Sequence, residues 1–302
     1  MSVLGSFRDV LLVAWFELVR AIRTWQALAL VSLYMVVNVG FALLFIGALG
    51  VLENQVAGTL GVPATTYPGA MLDQLVADGQ LLEPLVAMVG DKDLVETMLT
   101  YPLLAIFQLF VGLRMNPFLA AMTAAEAVAV DTRSRSVRFE LLRTGRLEWV
   151  TGRYLGQVLL NGLALLLASA GVWVAGMTLM VEQDPVWLAT SLLLMALRTW
   201  VFCLPFVGLG IACSQVTNSP AWARVMAIGG TAVAWVVWGL LQVDVSWRIP
   251  WLWDTVSHLF PWHWLLMLWT HDYRLAIGLG VCTLMGLVSM GVGYARFHWR
   301  DL

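Results

Sequence analysis

The sequence predicts an all-α integral membrane protein with six transmembrane helices. Of its 302 residues, 60% are hydrophobic and 12% are charged, and the mean hydropathy is +0.82. A soluble domain carries about 25% charged residues. Several runs lack Asp, Glu, Lys and Arg and are about as long as, or longer than, the roughly 20 residues that cross a bilayer as a helix. These runs cover residues 24–52, 154–181, 199–223, 225–243 and 275–295.

The first predicted element is an amphipathic helix over residues 7–23 that lies on the membrane surface. Its apolar residues recur at helical spacing, with charged residues on the opposite face. The apolar residues are Phe7, Val10, Leu11, Trp15, Leu18 and Ile22, and the charged residues are Asp9, Arg20 and Arg23. Because Leu12, Val13 and Phe16 interrupt the polar face, the alternative is that this helix packs against neighbouring spans.

Six transmembrane spans are predicted to follow this helix. They cover residues 27–49, 101–125, 154–180, 186–213, 223–241 and 275–295. Residues 51–100 contain seven acidic residues and one base, Lys92, and prolines break the segment. We therefore expect an extracellular loop there, with two small helices around residues 69–79 and 92–100. Residues 182–185 form a tight turn, and residues 243–274 form a second irregular region rich in Trp and His.

The distribution of charge predicts the orientation of the spans. Residues 126–153 hold six bases and four acids, whereas residues 51–100 hold one base and seven acids. Loops rich in Lys and Arg face the cytoplasm. We therefore expect a multi-pass protein of the cytoplasmic (inner) membrane, embedded in the lipid bilayer, with both termini in the cytoplasm. The net charge of −2 gives no reason to expect a nucleic-acid partner.

Six arginines fall within 21 residues of the 126–153 segment, and they are the candidate docking site. A short cytoplasmic helix over residues 131–147 is predicted, with Asp131, Thr132 and Ser134 as N-caps and Gly145 as its stop. Acidic residues are interleaved among its arginines, and this mixed charge suits docking to a soluble partner. The docking candidates are Arg133, Arg135, Arg138, Glu140, Arg143 and Arg146. The alternative is that the arginines only anchor a cytoplasmic loop.

Two arginines fall near the middle of predicted spans. An arginine at mid-bilayer costs about 2.5–3.5 kcal/mol on insertion scales and commonly marks a translocation pathway. Arg114 and Arg198, with Asn116, are therefore candidates for the translocation path or a dimer interface. The alternatives are a structural contact to backbone carbonyls or to Asn116, or snorkelling of the side chain if the spans are shifted. For Glu126, at the end of span two, we expect a salt bridge to Arg133 or another loop arginine.

The irregular region before span six concentrates tryptophans near the outer membrane surface. Trp251, Trp253, Trp262 and Trp264 are candidates for an aromatic belt. The alternative is a hydrophobic outer gate for lipid-like cargo. Neither the three cysteines of the chain nor the histidines of this region show metal-ligand spacing. No metal site is therefore expected. The GxxxG sequence at Gly152 and Gly156 is consistent with a helix contact, a flexible span entry or a chance occurrence.

The segment "AAEAVAVDTRSRSVRFELLRTGRLEWVTGRYLGQ" resembles the loop between spans two and three of ABC-2-type permeases. These are the membrane subunits of ATP-binding-cassette exporters with the type V fold. Asp131, the pair Leu141–Leu142, Arg146 and the pair Gly152–Arg153 stand at the places of the family pattern. The ending "ARFHWRDL" is similar to the closing segment of the family. "SHLFPWHW" resembles its short extracellular helices before span six, and the resemblance extends over nearly the whole chain.

The resemblance implies a permease subunit that exports a substrate through a dimeric pore. Residues 133–146 would be the coupling helix and residues 10–23 the connecting helix. Two ABC ATPase subunits per complex would bind ATP and Mg²⁺, and the second permease would be another copy or a homologue. The chain departs from the family in using arginine where lysine is common and in its long 51–100 loop.

The sequence gives no sign of a cofactor or of an enzyme in this chain. It contains no phosphate-binding G-x-x-x-x-G-K-[ST] motif, and its only lysine is Lys92. No catalytic motif is present, so ATP hydrolysis is expected from a partner subunit. The rival functions are a secondary transporter or channel without an ATPase, and a membrane-embedded scaffold. A secondary transporter would be expected to show an internal repeat or mid-membrane carboxylates.

Overall fold

The computed structural model describes residues 3–60, 67–79, 82–180, 184–242 and 250–299. Within these ranges the chain is helical and contains no strand. In chain order the helices are α1 (Val3–Arg23), α2 (Gln26–Leu60), α3 (Ala70–Ala77), α4 (Leu82–Val89), α5 (Lys92–Leu99), α6 (Leu103–Ala124), α7 (Ala129–Ser134), α8 (Val137–Leu141), α9 (Arg146–Leu179), α10 (Pro185–Val216), α11 (Pro220–Gln242), α12 (Pro250–Ser257), a 3₁₀ helix (Pro261–Trp269) and α13 (Tyr273–His298).

Six helices are long and apolar enough to cross a membrane: α2, α6, α9, α10, α11 and α13. The predicted all-α fold with six such helices is therefore confirmed. Helices are favoured in lipid because each satisfies its own backbone hydrogen bonds. Several helices extend beyond the uncharged runs, since α2 continues to Leu60 and α9 already begins at Arg146.

Helix α10 lies at the centre of the bundle and packs against α6, α9, α11 and α13. Its backbone lies very close to that of α13. A Cβ atom added to Gly208 would lie only 2.3 Å from the carbonyl oxygen of Gly286. The largest buried side chains of this core include Phe202 on α10 and Leu109 on α6. Helix α1 packs against α9 and α2, and its Ala14 and Ala21 are buried.

The 51–100 segment contains α3, α4 and α5, where two small helices were expected. Its link to the bundle is Glu53 near the end of α2, whose buried carboxylate accepts hydrogen bonds from three backbone N–H groups. The donors are Gly69 (2.8 Å), Met71 (3.0 Å) and Leu72 (3.2 Å), at the start of α3. This carboxylate stabilises the N-terminus of α3. Residues 61–66 and 80–81 of this segment, and 182–183 of the expected tight turn, lie outside the described residues.

Candidate functional site

The arginine-rich segment forms two short helices instead of the single helix expected over residues 131–147. Helix α7 ends at Arg135, which has a left-handed backbone conformation (φ 59°), and α8 ends before Leu142. Gly145 is not a stop for this segment, because it precedes the first residue of α9. Asp131 is buried within α7 and caps no helix, because its carboxylate is bound by two arginines.

A buried ion cluster lies beneath these short helices, and Arg153 of α9 is at its centre. The Arg153 side chain is 5% exposed and forms ion pairs with three carboxylates. Its Nη2 lies 2.5 Å from Asp131 Oδ2 and 3.0 Å from Glu140 Oε2, and its Nη1 pairs with Glu17. The guanidinium also lies over the Trp149 ring, 5.1 Å from the centroid. Four elements, α1, α7, α8 and α9, therefore meet at one cation.

Further hydrogen bonds complete the cluster. Arg20 Nη1 donates to both carboxylate oxygens of Asp131, at 2.8 and 3.0 Å. Gln157 Nε2 donates to Glu17 Oε1 at 2.9 Å, and the Trp149 indole N–H donates to Glu140. The cluster contains two arginines and three carboxylates, so it retains one excess negative charge. Charge-assisted bonds of this kind are stronger than neutral ones and fix geometry.

The opposite surface of the segment is exposed and carries both positive charge and apolar area. Four of the six docking candidates are exposed: Arg133, Arg135, Arg138 and Arg143. Phe139 and Leu142 lie among them with 74% and 82% of their surface exposed. These six residues are called the docking surface below. Leu142 belongs to the pair Leu141–Leu142 of the family pattern, whereas Phe139 belongs to no motif of the sequence.

The other two docking candidates make contacts within the chain. Glu140 belongs to the ion cluster. Arg146 Nη1 donates to the backbone oxygen of His298 at 2.6 Å, which joins the start of α9 to the end of α13. Arg146 and Glu140 therefore position the docking surface, whereas the four exposed arginines are free to meet a partner.

Both ends of the described chain lie beside this segment. Near the N-terminus, Ser6 Oγ donates to Glu148 Oε1 at 2.7 Å. Near the C-terminus, the Phe297 ring stacks on Trp149, with 5.8 Å between centroids. Helix α1, the docking surface and the end of α13 therefore occupy one end of the bundle.

The turn between α10 and α11 also lies at this end. Ser214 Oγ accepts hydrogen bonds from the backbone N–H groups of Val128 (2.8 Å) and Ala129 (2.7 Å). The salt bridge expected for Glu126 is formed, but with Arg224, whose Nε donates to Glu126 at 2.6 Å, and not with Arg133. Arg224 lies one turn into α11, outside the arginine-rich segment.

The two mid-span arginines have different surroundings. Arg198 is buried, and its Nη1 donates to the backbone oxygen of Leu268 at 2.9 Å. Its Nη2 lies 3.4 Å from the Tyr101 hydroxyl and 3.5 Å from His271 Nδ1. Partial burial, with the adjacent Arg198 charge, lowers the pKa of His271. These contacts match the structural alternative for Arg198.

Arg114, by contrast, is half-buried, and its guanidinium lies over the Phe110 ring at 4.8 Å from the centroid. Asn116, two residues later, is fully buried and faces α2. Its side chain exchanges hydrogen bonds with Asn38 at 3.2 and 3.3 Å. Asn116 therefore joins α2 to α6, and Arg114 remains the polar candidate for a pathway.

The tryptophan candidates also differ in how deeply they are buried. Trp262 is 2% exposed and packs against Phe206, with 5.0 Å between ring centroids, so it belongs to the core and not to a lipid-facing belt. Trp264 is half-buried and donates its indole N–H to the His258 oxygen at 3.0 Å. The side chains of Trp251 and Trp253 lie outside the described residues. Within the described ranges, no group of three or more His, Cys, Asp or Glu side chains is placed to hold a metal ion.

Comparison with known proteins does not assign the chain to a family. No protein-family model matches the sequence, and no curated protein matches it. Inference about function therefore depends on the residues and on their arrangement.

Proposed function

We propose that this chain is the permease subunit of an ATP-driven transporter of the ABC-2 type. In this proposal it works as an exporter and lies in the cytoplasmic membrane, with both termini in the cytoplasm. It pairs with a second copy or a homologous permease, and two separate ATPase subunits bind ATP and Mg²⁺. The ion cluster around Arg153 is the observation that carries the proposal, because it connects an exposed docking surface to the membrane helices.

The docking surface has the composition of a protein interface. Aromatic residues and arginine are enriched in protein interfaces, and exposed apolar area rimmed by polar residues marks interaction sites. Phe139 and Leu142 would enter an apolar groove of the ATPase, and the neighbouring arginines would meet acidic side chains on its rim. Arg138 and Arg143 flank the two apolar residues and are the natural pair for that contact.

The ion cluster gives the docking surface a mechanical link to the spans. Movement of α8 displaces Glu140, which is bound to Arg153 in the first turns of α9. Because Arg153 also holds Glu17 of α1 and Asp131 of α7, the four elements move as one unit. Closure of the ATPases on ATP would therefore shift α9 and α1 relative to α10, and a path between two permeases would open.

The test is charge reversal of Arg138 and Arg143 together, in a tagged full-length chain purified from its native membrane. We expect the wild type to co-purify with a separate ATPase and to stimulate its hydrolysis of ATP. The double variant should retain membrane insertion and lose about tenfold or more in ATPase recovery, since tenfold corresponds to about 1.4 kcal/mol of binding energy.

The matched control reverses Lys92 and Arg274, two exposed bases at the opposite end of the bundle. Their ion pairs with Glu96 and Asp91 are exposed and contribute little to stability. This control should recover the ATPase like the wild type. Equal recovery and equal stimulation in the Arg138/Arg143 variant would remove the docking role. A chain that transports without any ATPase would instead favour the secondary transporter.

A further inference from the structure

One side of α6 is left incompletely covered by the bundle. Its residues recur at helical spacing and are half-buried or exposed, whereas the opposite side of α6 is buried against α10. The incompletely covered residues are called the α6 stripe, and they are Phe107, Phe110, Arg114, Phe118 and Met122. The stripe lies between α2 and α11, because Phe107 stacks on Phe45 of α2 and Phe118 meets Trp235 of α11 edge-on.

Arg114 is the single charge of the α6 stripe, and it lies at the middle of the helix. It follows Leu103 by eleven residues and precedes Ala124 by ten, so about 15 Å of helix lies on each side. Among the described residues, its guanidinium contacts the Phe110 ring and has no hydrogen-bond or ion-pair partner. Arg198, the other mid-span arginine, is buried and bonded to a backbone oxygen. Arg114 therefore lacks the internal acceptor that Arg198 has.

A second copy of this chain cannot supply the missing anion. Within the described spanning helices, carboxylates occur only near the ends, at Glu53 in α2 and Glu148 in α9. In a two-fold dimer the same surfaces face each other, so stripes that met would bring two Arg114 side chains together. Like charges repel strongly in a medium of low dielectric constant. An anionic partner for Arg114 would therefore come from outside the protein.

The α6 stripe continues into an open cavity at the end of the bundle that carries the docking surface. This cavity has a volume of about 380 Å³ and lies between α1, α2, α6, α9 and α11. Met122 and Leu33 contribute to its apolar wall, and two arginines and two glutamates contribute to its polar wall: Arg20, Arg224, Glu17 and Glu126. Gln157 also lines it and is 6% exposed.

We propose that the cavity and the α6 stripe bind an amphiphile with an acidic headgroup, a phosphate or carboxylate, during its passage across the membrane. The proposal rests on the transport function proposed above and names its substrate class. The headgroup enters at the polar wall of the cavity and pairs with Arg114 halfway across, while the apolar part lies against Phe110, Phe118 and Trp235. Resident lipid headgroups stay at the membrane interfaces, so an anion at the depth of Arg114 is one that is being translocated.

The test measures binding of two probes with the same alkyl chain, dodecyl phosphate and dodecyltrimethylammonium. The full-length chain is placed in phosphatidylcholine nanodiscs, and empty nanodiscs give the background. We expect saturable binding of the phosphate probe that weakens about tenfold or more in Arg114→Gln and is largely kept in Arg114→Lys. Arg8→Gln removes the same charge from exposed α1 and should leave binding unchanged. The cationic probe should show no dependence on Arg114.

A photoreactive alkyl phosphate locates the site even if Arg114→Gln does not fold. Cross-links to Phe110, Phe118 or Met122 are expected and should be suppressed by excess dodecyl phosphate. Equal binding of the phosphate probe by the wild type and a folded Arg114→Gln variant overturns the proposal, as do cross-links that avoid the α6 stripe.

These outcomes separate the substrate class from the transport function. If an ATPase co-purifies and is stimulated while phosphate binding ignores Arg114, the substrate class is wrong and the permease stands. If binding depends on Arg114 but no ATPase is recovered, the site stands and the ATP-driven function is wrong.

Discussion

Arg153 is the residue on which the connection between the docking surface and the membrane helices depends. Its side chain is almost completely buried, and three carboxylates from three elements surround it. Burial of charge is costly unless every charge is paired, so such a cluster stabilises one arrangement of its elements and tolerates few others. Because the cluster already has one excess negative charge, loss of Arg153 destabilises it more than loss of one of its carboxylates.

We expect Arg153→Met to lower the free energy of unfolding by about 3–5 kcal/mol, because it leaves buried carboxylates without their cation. Denaturant titration of the purified chain in detergent measures the change. The matched control is Arg143→Met, which removes an exposed arginine and should stay within about 0.5 kcal/mol. Equal stability of the two variants would mean that the cluster is solvated and does not hold the four elements together.

The sequence predicted residue types at this site better than residue partners. In the sequence Arg153 is one of six clustered arginines, and nothing nearby indicates Glu17 as its partner, because 136 residues separate the two. The available signal for this ion pair was an acidic residue in α1 that could face the small residues at the start of α9. Arg114 and Arg198 looked equivalent in the sequence, and only the packing of Leu268 against α10 distinguishes them.

At the scale of elements, the contact between α1 and α9 decides how the N-terminal helix is held. A Cβ atom on Gly152 would lie 2.5 Å from the Val13 Cβ, and one on Gly156 would lie 2.8 Å from the Glu17 Cβ. The two glycines therefore allow α1 to approach closely enough for Glu17 to reach Arg153. The GxxxG sequence is a helix contact, which resolves the alternative left open by the sequence.

Gly152→Ala should weaken this contact, because the added methyl group overlaps Val13 and the backbone oxygen of Val10. The expected result is a lower melting temperature and faster proteolysis of α1 in limited digestion. Gly239→Ala in α11 is the matched control, since no neighbouring atom lies within 4 Å of its added Cβ. The control should be neutral or slightly stabilising. A Gly152 variant that resists digestion like the control would show that α1 does not need this contact.

The arginine-rich segment shows where pattern-based prediction of an element fails. Val137 and the pair at 141–142 fit one apolar helix face, yet Val137 is buried while Leu142 is exposed. The left-handed Arg135 divides the segment, and the ion pairs of Asp131 and Glu140 fix the two halves. Tertiary ion pairing therefore overrides local helix pattern here, and apolar residues become available for a partner.

At the scale of the whole molecule, the fold class was predictable because a membrane restricts the possible structures. Long uncharged runs must become helices in lipid, so their number follows from the sequence. The packing order does not follow, because hydropathy is similar in all six helices. The central position of α10 depends on close contacts such as that between Gly208 and Gly286. The fit between particular pairs of helices determines these contacts.

The arrangement of the loops predicts which parts of the chain share a side of the membrane. The docking surface, the end of α13 and the α10–α11 turn lie at one end, and α5 and the 3₁₀ helix lie at the other. The positive-inside rule predicts that the first end faces the cytoplasm. We therefore expect Leu142→Cys and Trp299→Cys to react with a membrane-impermeant maleimide only after permeabilisation of cells. Both original side chains are 82% exposed, so access within the protein is not limiting.

Leu259→Cys is the matched variant at the opposite end, where the original side chain is 73% exposed. It should react in intact cells at the rate seen after permeabilisation. Cys203, Cys213 and Cys282 are buried and contribute little background, because thiols inside the bundle are shielded from a charged reagent. Labelling of Leu142→Cys in intact cells would place the docking surface outside the cell, where no ATPase could reach it, and both the permease assignment and the direction of substrate entry would have to be abandoned.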